Sequence, residues 1–227
     1  MKKILAICAH PDDEVLGCGG TLLKHKKSKD QINIIFVFEG SSARFNNKGS
    51  LVVKKDIKKR EKSAIQVAKR LKAKSIRFLN YQNLITDSDL KLKMTKDLSD
   101  LIKKINPNII YTHSSKDLNV DHRSCLESVL IATRPNNHLS LEKLLCFEIP
   151  SSTEWSHNIF GNFSPTYFVN IDKFIKDKLN LLKYYNYELK KFPYPRSTEN
   201  IIAQSKLAGS TCGFNHAERF EVIKIFE

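Results

Sequence analysis

ILAICAHPDDEVLGCGG, residues 4–20, decides how the chain is read. The apolar run from Ile4 to Ala9 is short and uninterrupted, as a strand covered on both faces requires. At His10 it gives way to a proline, two aspartates and a glutamate, followed by Gly17, Gly19 and Gly20. A core strand has no use for three carboxylates at its end. The glycines do not spell a GxGxxG fingerprint, so they read as tight-turn and close-packing positions rather than as a dinucleotide cradle.

The first half alternates strand and helix patterns. GGTLLKHKKSK fits a helix after a glycine turn, and INIIFVFEG a second strand. GSSARFNNKGS is a polar loop. A helix follows from about Lys54 to Lys72, with Ile57, Ala64, Ile65, Ala68 and Leu71 near helical spacing. SIRFLNY reads as strand three. Asp87 to Ile105 reads as a helix stopped by Asn106-Pro107, and NIIYTHS as strand four. This order predicts an α/β fold, a three-layer α/β/α stack around a mainly parallel sheet. Ligands of such sheets bind beyond the C-terminal strand ends. His10, Glu39-Gly40-Ser41, His113 and DLNVDHR all fall there.

The second half is less regular. LLCFEIP and PTYFVNI read as strands, with Asp172 as N-cap of a helix through about Leu189. KKFPYPRSTEN is a proline-broken loop, residues 198–208 look helical, and RFEVIKI is a final strand. Nothing resembles a repeat or linker, so residues 1–227 are expected to form one domain.

The chemistry gathers at the strand ends. Adjacent aspartates in a turn point different ways, so one can ligate a metal while the other faces a water. His10 can supply a second ligand from the same turn, and Asp121-His122 a third from beyond strand four. Two histidines, one carboxylate and an open position make a catalytic zinc site. The competing reading is that Asp12 or Asp13 caps a helix and Glu14 merely favours its N-terminus.

AHPDDEVLGCGGTL, followed a hundred residues later by DLNVDHR, resembles the PIG-L/LmbE-like zinc de-N-acetylases. KREKSAIQVAKRL and GSTCGFNHAERF extend the likeness over nearly the whole chain. The resemblance implies a Rossmann-like fold that removes acetyl groups from N-acetylated amino sugars. It implies His10, Asp13 and His122 as zinc ligands, Asp12 as general base, and Arg60 as a residue holding the sugar or its phosphate. Read by itself, Arg60 is equally an exposed helix arginine. Where many members carry His-Pro-Asp-His, this chain has Asn119-Val120-Asp121-His122. Asn119 can donate to an oxyanion but cannot be a general acid. His216 stands where some relatives have a tyrosine and is a candidate to reach over the metal; it reads equally as a loop histidine. His113 reads as a satisfied buried histidine. Asp117 is expected to position its loop, or to orient a ligand or touch the sugar, and Trp155 and Arg196 fit a sugar platform on loops or, equally, a packed loop.

Composition sets the partners. Hydrophobic content of 41% and charged content of 27% are those of an ordinary globular chain. The net charge of +14, from 38 basic and 24 acidic residues, is spread as lysine-rich stretches without a basic arm. Solvated helix faces are therefore expected rather than nucleic-acid binding. The five cysteines lack CxxC spacing, as in a reduced, cytoplasmic protein. No stretch approaches the roughly 18 apolar residues of a membrane span, although peripheral membrane contact and a homo-oligomer stay open. The expected partner is a small or carrier-linked N-acetylamino sugar, and the expected cofactor Zn2+, with Fe2+ or another divalent ion as alternative. The rival readings are a metal amidohydrolase acting on a non-sugar amide and a basic binding protein with a vestigial site.

Overall fold

The computed structural model describes residues 1–47, 49–84, 87–135 and 140–226. Its strands are β1 (Lys3–Cys8), β2 (Gln31–Phe38), β3 (Ser75–Tyr81), β4 (Ile109–His113), β5 (Lys143–Phe147), β6 (Tyr167–Asn170) and β7 (Ala217–Ile225). They form one sheet in the order β3-β2-β1-β4-β5-β7-β6. Pairing is parallel from β3 through β5, and β7 runs antiparallel to both β5 and β6.

The opening run explains why β1 is central. Ile4, Ala6 and Cys8 enter one core with α1 (Asp13–Lys27), α2 (Leu51–Leu71) and α5 (Ile175–Leu182). Leu5, Ile7 and Ala9 enter a second core with α3 (Ser88–Ile105) and α4 (Val120–Ala132). Both faces are buried, so the strand shows no polar alternation. The result is the Rossmann-like three-layer α/β/α arrangement. All five cysteines are free, and four are buried.

Several elements depart from the sequence reading. α1 begins at Asp13, before the glycines rather than after them. Gly17 and Gly20 serve close approach and not a turn: a Cβ on Gly20 would lie 2.8 Å from Ile171, and one on Gly17 would enter the Phe147 ring. At Cys18 the backbone leaves the helix (φ −144°, ψ 22°), so α1 is two helices in series. The groups exposed by the break are satisfied from distant elements. Leu16 O accepts from Lys178 Nζ at 3.0 Å. The N–H groups of Gly20 and Thr21 donate to Glu218 at 2.8 and 2.6 Å, and Lys178 closes on Glu218 at 2.7 Å.

α2 starts at Leu51 because Ser50 Oγ accepts from Val53 N as its cap. Its buried face is Val53, Arg60, Ala64, Val67, Ala68 and Leu71, which leaves Ile65 exposed. α5 ends at Leu182, short of the expected Leu189, and Asp172 does not cap it. That carboxylate instead accepts from His216 N at 2.6 Å and Asn215 Nδ2 at 3.2 Å. α6 (Thr198–Cys212) is capped by Ser197 and ends at Gly213 in the left-handed region.

Candidate metal centre and cleft

β1 is flanked by β2 on one side and β4 on the other, so strand order reverses at its C-terminal end. An α/β sheet opens a crevice at such a switch point. The turn after β1 separates the three carboxylates. Asp12 takes a strained backbone (φ 131°, ψ −28°) that no side-chain cap rewards. Such a conformation costs about 1–3 kcal/mol and persists only where neighbours enforce it. Here Glu14 Oε2 accepts from Asp12 N at 3.0 Å, and Tyr185 donates to Glu14 Oε1 at 2.6 Å. Asp13 folds back to accept from His10 N at 2.8 Å. The Asp12 side chain is thereby turned onto Arg196, and although Asp12 is the N-cap residue of α1, neither aspartate side chain makes a capping bond.

His10 Nδ1, Asp13 Oδ2 and His122 Nε2 form a triangle with sides of 3.3, 3.6 and 3.6 Å. A point about 2.0 Å from all three corners exists, which is the bonding radius of zinc to nitrogen and carboxylate oxygen. The donor set, two imidazoles and a carboxylate, suits such an ion, and buried Asp13 Oδ1 has no hydrogen-bond partner. The opposite ring nitrogens meet carboxylates. His10 Nε2 lies 3.1 Å from Asp121 Oδ2, and His122 Nδ1 lies 3.1 Å from Asp117 Oδ2. A carboxylate at each outer nitrogen favours the tautomer that presents a lone pair to the centre of the triangle; the one at His122 acts by charge at 3.1 Å without hydrogen-bond geometry, and His10 Nε2 also has Asn83 Nδ2 at 2.9 Å. The residues present therefore fit a divalent ion.

The carboxylates are themselves held. Asp121 accepts from Asn83 Nδ2 at 2.9 Å and Leu84 N at 2.8 Å. Asp117 accepts from Asn119 N at 2.8 Å, Thr153 Oγ1 at 2.7 Å and Ser152 Oγ. Burial raises the Asp13 carboxyl, but the rings of His122, His113 and His10 outweigh it and hold it well below the usual range. Burial pushes Asp12 up to about 6 against the pull of Arg196. Its neighbour thus stays ionised while Asp12 titrates near neutrality, a separation suited to proton transfer.

A cleft of about 150 Å³ opens over this group, lined among others by His10, Asp12, Arg44, Arg60, Asn119 and Arg196. Arg60 is buried rather than exposed, bonded to Asp56 and Glu188. Glu188 also receives Arg44 at 2.9 Å and Arg196 at 3.5 Å. Burial would raise this carboxyl, yet Arg44, Arg60 and Arg196 hold it down at about 2. Arg196 Nη1 reaches Asp12 Oδ2 at 2.9 Å. Asn119 caps α4, its Oδ1 accepting from Asp121 N at 2.9 Å, which leaves its amide hydrogens as what it can offer a ligand.

Other expected residues lie elsewhere. His216 Nδ1 meets Ser205 Oγ on α6 at 2.8 Å, and its ring is not among those lining the cleft. The β7 start and Asp172 fix its backbone beside α6, so it does not reach over the triangle as expected. Asp117 is spent on His122 and the loop after β5, not on a sugar. Trp155 packs edge-on against Tyr194 at the rim, with ring centroids 5.7 Å apart. Buried His113 accepts from Ala9 N at 2.8 Å and stacks on His122, and burial lowers it to about 4. It is thus a neutral structural ring, although its Nδ1 has no partner among the described residues. The sequence reading missed Asn83, Arg44 and Glu188. Asn83 had a signal, its place just beyond β3; Glu188, in a stretch expected to be helix, had none.

Comparison with known proteins places this geometry in context. A family model described as PIG-L: GlcNAc-PI de-N-acetylase matches residues 5–133. An uncharacterised deacetylase, YaiS of Escherichia coli (strain K12), is 28% identical over 174 residues, covering 74% of this chain and 85% of that protein. The solved N,N'-diacetylchitobiose deacetylase of Pyrococcus horikoshii superposes with a TM-score of 0.76 at 22% identity, over 98% of this chain and 84% of its own. GalB, the 4-carboxy-2-hydroxymuconate hydratase of Pseudomonas putida, superposes with a TM-score of 0.70 at 21% identity, over 100% and 99%.

Proposed function

The chain belongs to the PIG-L family, and from that premise we propose that it is a zinc-dependent hydrolase that cleaves the acetamide of an N-acetylamino sugar to acetate and a free amine. The observation that carries this reading is the triangle of His10, Asp13 and His122 with the carboxyl of Asp12 beside it, paired with Arg196 and pushed up to about 6 by burial. Bound there, zinc supplies a Lewis acid for the acetamide carbonyl and makes a water acidic enough to lose a proton at neutral pH.

The chain's own groups do the rest. Asp12 takes the proton from water and returns it to the departing amine. Arg196 holds the carboxylate of Asp12 in place through Nη1. Asn119 offers a neutral N–H to the developing oxyanion, a role that needs no ionisation. Asp117 and Asp121 keep the two imidazoles in the ligating tautomer. Arg44 stands half-exposed at the mouth of the cleft, where it meets sugar hydroxyls or a phosphate, and buried Arg60 backs it through the Glu188 they share. The sugar is carried on a nucleotide or lipid phosphate, or within a surface-polysaccharide precursor, in the cytoplasm.

The test is acetate release by metal-loaded protein from a panel of free, nucleotide-linked and lipid-linked N-acetyl sugars, with small N-acyl amides and an unsaturated acid as controls. Acetate from sugars alone supports the reading. Hydration of the unsaturated acid without acetate would replace it with chemistry of the GalB kind. Cleavage of the small amides alone would move the substrate outside the sugars.

A further inference from the structure

Isolated exposed apolar side chains need no explanation, but a contiguous group around a cleft does. Leu84 (50% exposed), Leu118 (44%), Trp155, Ile159 (74%), Phe160 and Phe192 (64%) stand on the segments that follow β3, β4 and β5 and on the connection from α5 to α6. The loops are tied together. Leu118 N donates to Ser152 O at 3.3 Å, joining the β4–α4 loop to the β5–β6 loop. The Trp155–Tyr194 contact joins the latter to the α5–α6 connection, and Leu84 N donates to Asp121. Leu84 itself lines the cleft, so the apolar rim and the candidate site share one opening.

Cations are set among these side chains. The Arg123 guanidinium lies 4.0 Å over the Phe160 ring, and Lys116 lies against Gly161. Lys190 and Lys191 immediately precede Phe192. The carboxylates of the same loops are spent: Asp117 is buried, Glu154 is turned onto the N–H groups of Ser151 and Ser152, and Asp87 caps α3. Apolar tips beside lysines and an arginine that pair with no carboxylate among the described residues complement one surface above others, a bilayer whose headgroups are anionic and whose acyl region begins just beneath. A polyanionic glycan or nucleic acid would find no use for aliphatic tips such as Leu118 and Ile159.

We propose that this rim docks on an anionic lipid bilayer, laying Leu118, Ile159, Phe160 and Phe192 at the headgroup–acyl boundary and turning the cleft toward the headgroups. The docking rests on the surface alone and does not depend on the reaction proposed above. Trp155 is the only tryptophan, so its emission reports directly on the rim.

The experiment is flotation of the full chain with vesicles of phosphatidylcholine, with or without phosphatidylglycerol, while Trp155 emission is followed. Flotation with the phosphatidylglycerol vesicles is expected, with emission shifted to the blue and quenched by brominated acyl chains. Ile159→Asp/Phe160→Asp should weaken partition by about tenfold or more, because it removes apolar contact and adds repulsion. Both positions are exposed, so the variant should keep the wild-type thermal unfolding midpoint, which checks the fold. Absence of flotation overturns the proposal. Flotation without a shift in emission, unaffected by the double variant, also overturns it, because a basic chain would then be adsorbing through another face. Self-association that the double variant abolishes, without vesicle binding, would give the rim to a second copy of the chain. Because partition is the readout, a chain that deacetylates sugars and does not float refutes this inference alone.

Discussion

Asp117→Asn changes the element at one side-chain position and should lower zinc affinity without unfolding the chain. Asp117 faces His122 Nδ1 at 3.1 Å and accepts from Asn119 N, Thr153 Oγ1 and Ser152 Oγ. Asparagine offers one accepting and one donating end. With its oxygen kept on Asn119 N and Ser152, its amide hydrogens face Thr153 Oγ1, which can turn to accept, and His122 Nδ1. That nitrogen must then carry the lone pair, so the ring proton moves to Nε2, the atom that belongs to the metal triangle. Partners of this kind are worth 10–100-fold in metal affinity, or about 1.4–2.7 kcal/mol. The assay is competition for zinc against a chromophoric chelator, with thermal unfolding of the metal-free variant as a check on the fold. Thr153→Ala deletes a neighbouring hydrogen bond and leaves the tautomer alone, so its zinc affinity should stay within about threefold of wild type. A folded Asp117→Asn protein that binds zinc as wild type does would refute the tautomer argument.

Other outcomes follow from the same geometry. Asp12→Asn should retain zinc while turnover falls by roughly two to four orders of magnitude, the usual worth of a general base, measured as acetate release. His216→Asn should leave zinc affinity and the shape of the pH–rate curve unchanged, because its ring sits on Ser205 rather than over the triangle. Gly20→Ala should destabilise by about 1–3 kcal/mol in a denaturant titration, since its new methyl meets Ile171 at 2.8 Å. Glu188→Gln should destabilise at neutral pH by removing the acid that three arginines share. Its pKa is depressed from 4.5 to about 2 on folding, so its contribution is full above 4.5 and lost on acidification. The stability gap between wild type and Glu188→Gln should therefore close as pH falls through that window.

Periodicity made β1, β2 and β4 legible because strands buried on both faces are written as nearly unbroken apolar runs, whereas β3, at the sheet edge and only partly buried, mixes polar and apolar residues. The polar clusters at their ends were legible for the same reason, since a parallel sheet sends every such end to one edge. The glycines were legible in part, because helix packing and tight turns draw on the same residue: the close packing expected of Gly17 and Gly20 is required by Phe147 and Ile171, which arrive from elsewhere in the chain, while the expected turn is absent. Asp172 looked like a cap by spacing, but a carboxylate bonds whatever N–H the fold delivers, here His216 N. His216 was placed by its neighbours in a motif, whereas its direction was decided by Ser205 on α6. Arg44 and Glu188 meet across 144 residues, and no local pattern announces such a pair.

The break in α1 at Cys18 has a consequence for how the chain can be cut. The proposed ligands His10, Asp13 and His122 all fall within the first 122 residues, inside the matched family segment. Yet the short helix that begins at Asp13 is spliced to its continuation by Lys178 and Glu218, its Glu14 is pinned by Tyr185, and Asp12 is held by Arg196. The carboxyl-terminal third is thus the splint on which the amino-terminal motif is set. A fragment that ended near residue 133 would carry every proposed ligand and lose the frame that keeps them facing one another. Supplied in trans, residues from that third would be expected to restore zinc affinity to the fragment, reassembling one site from two chains.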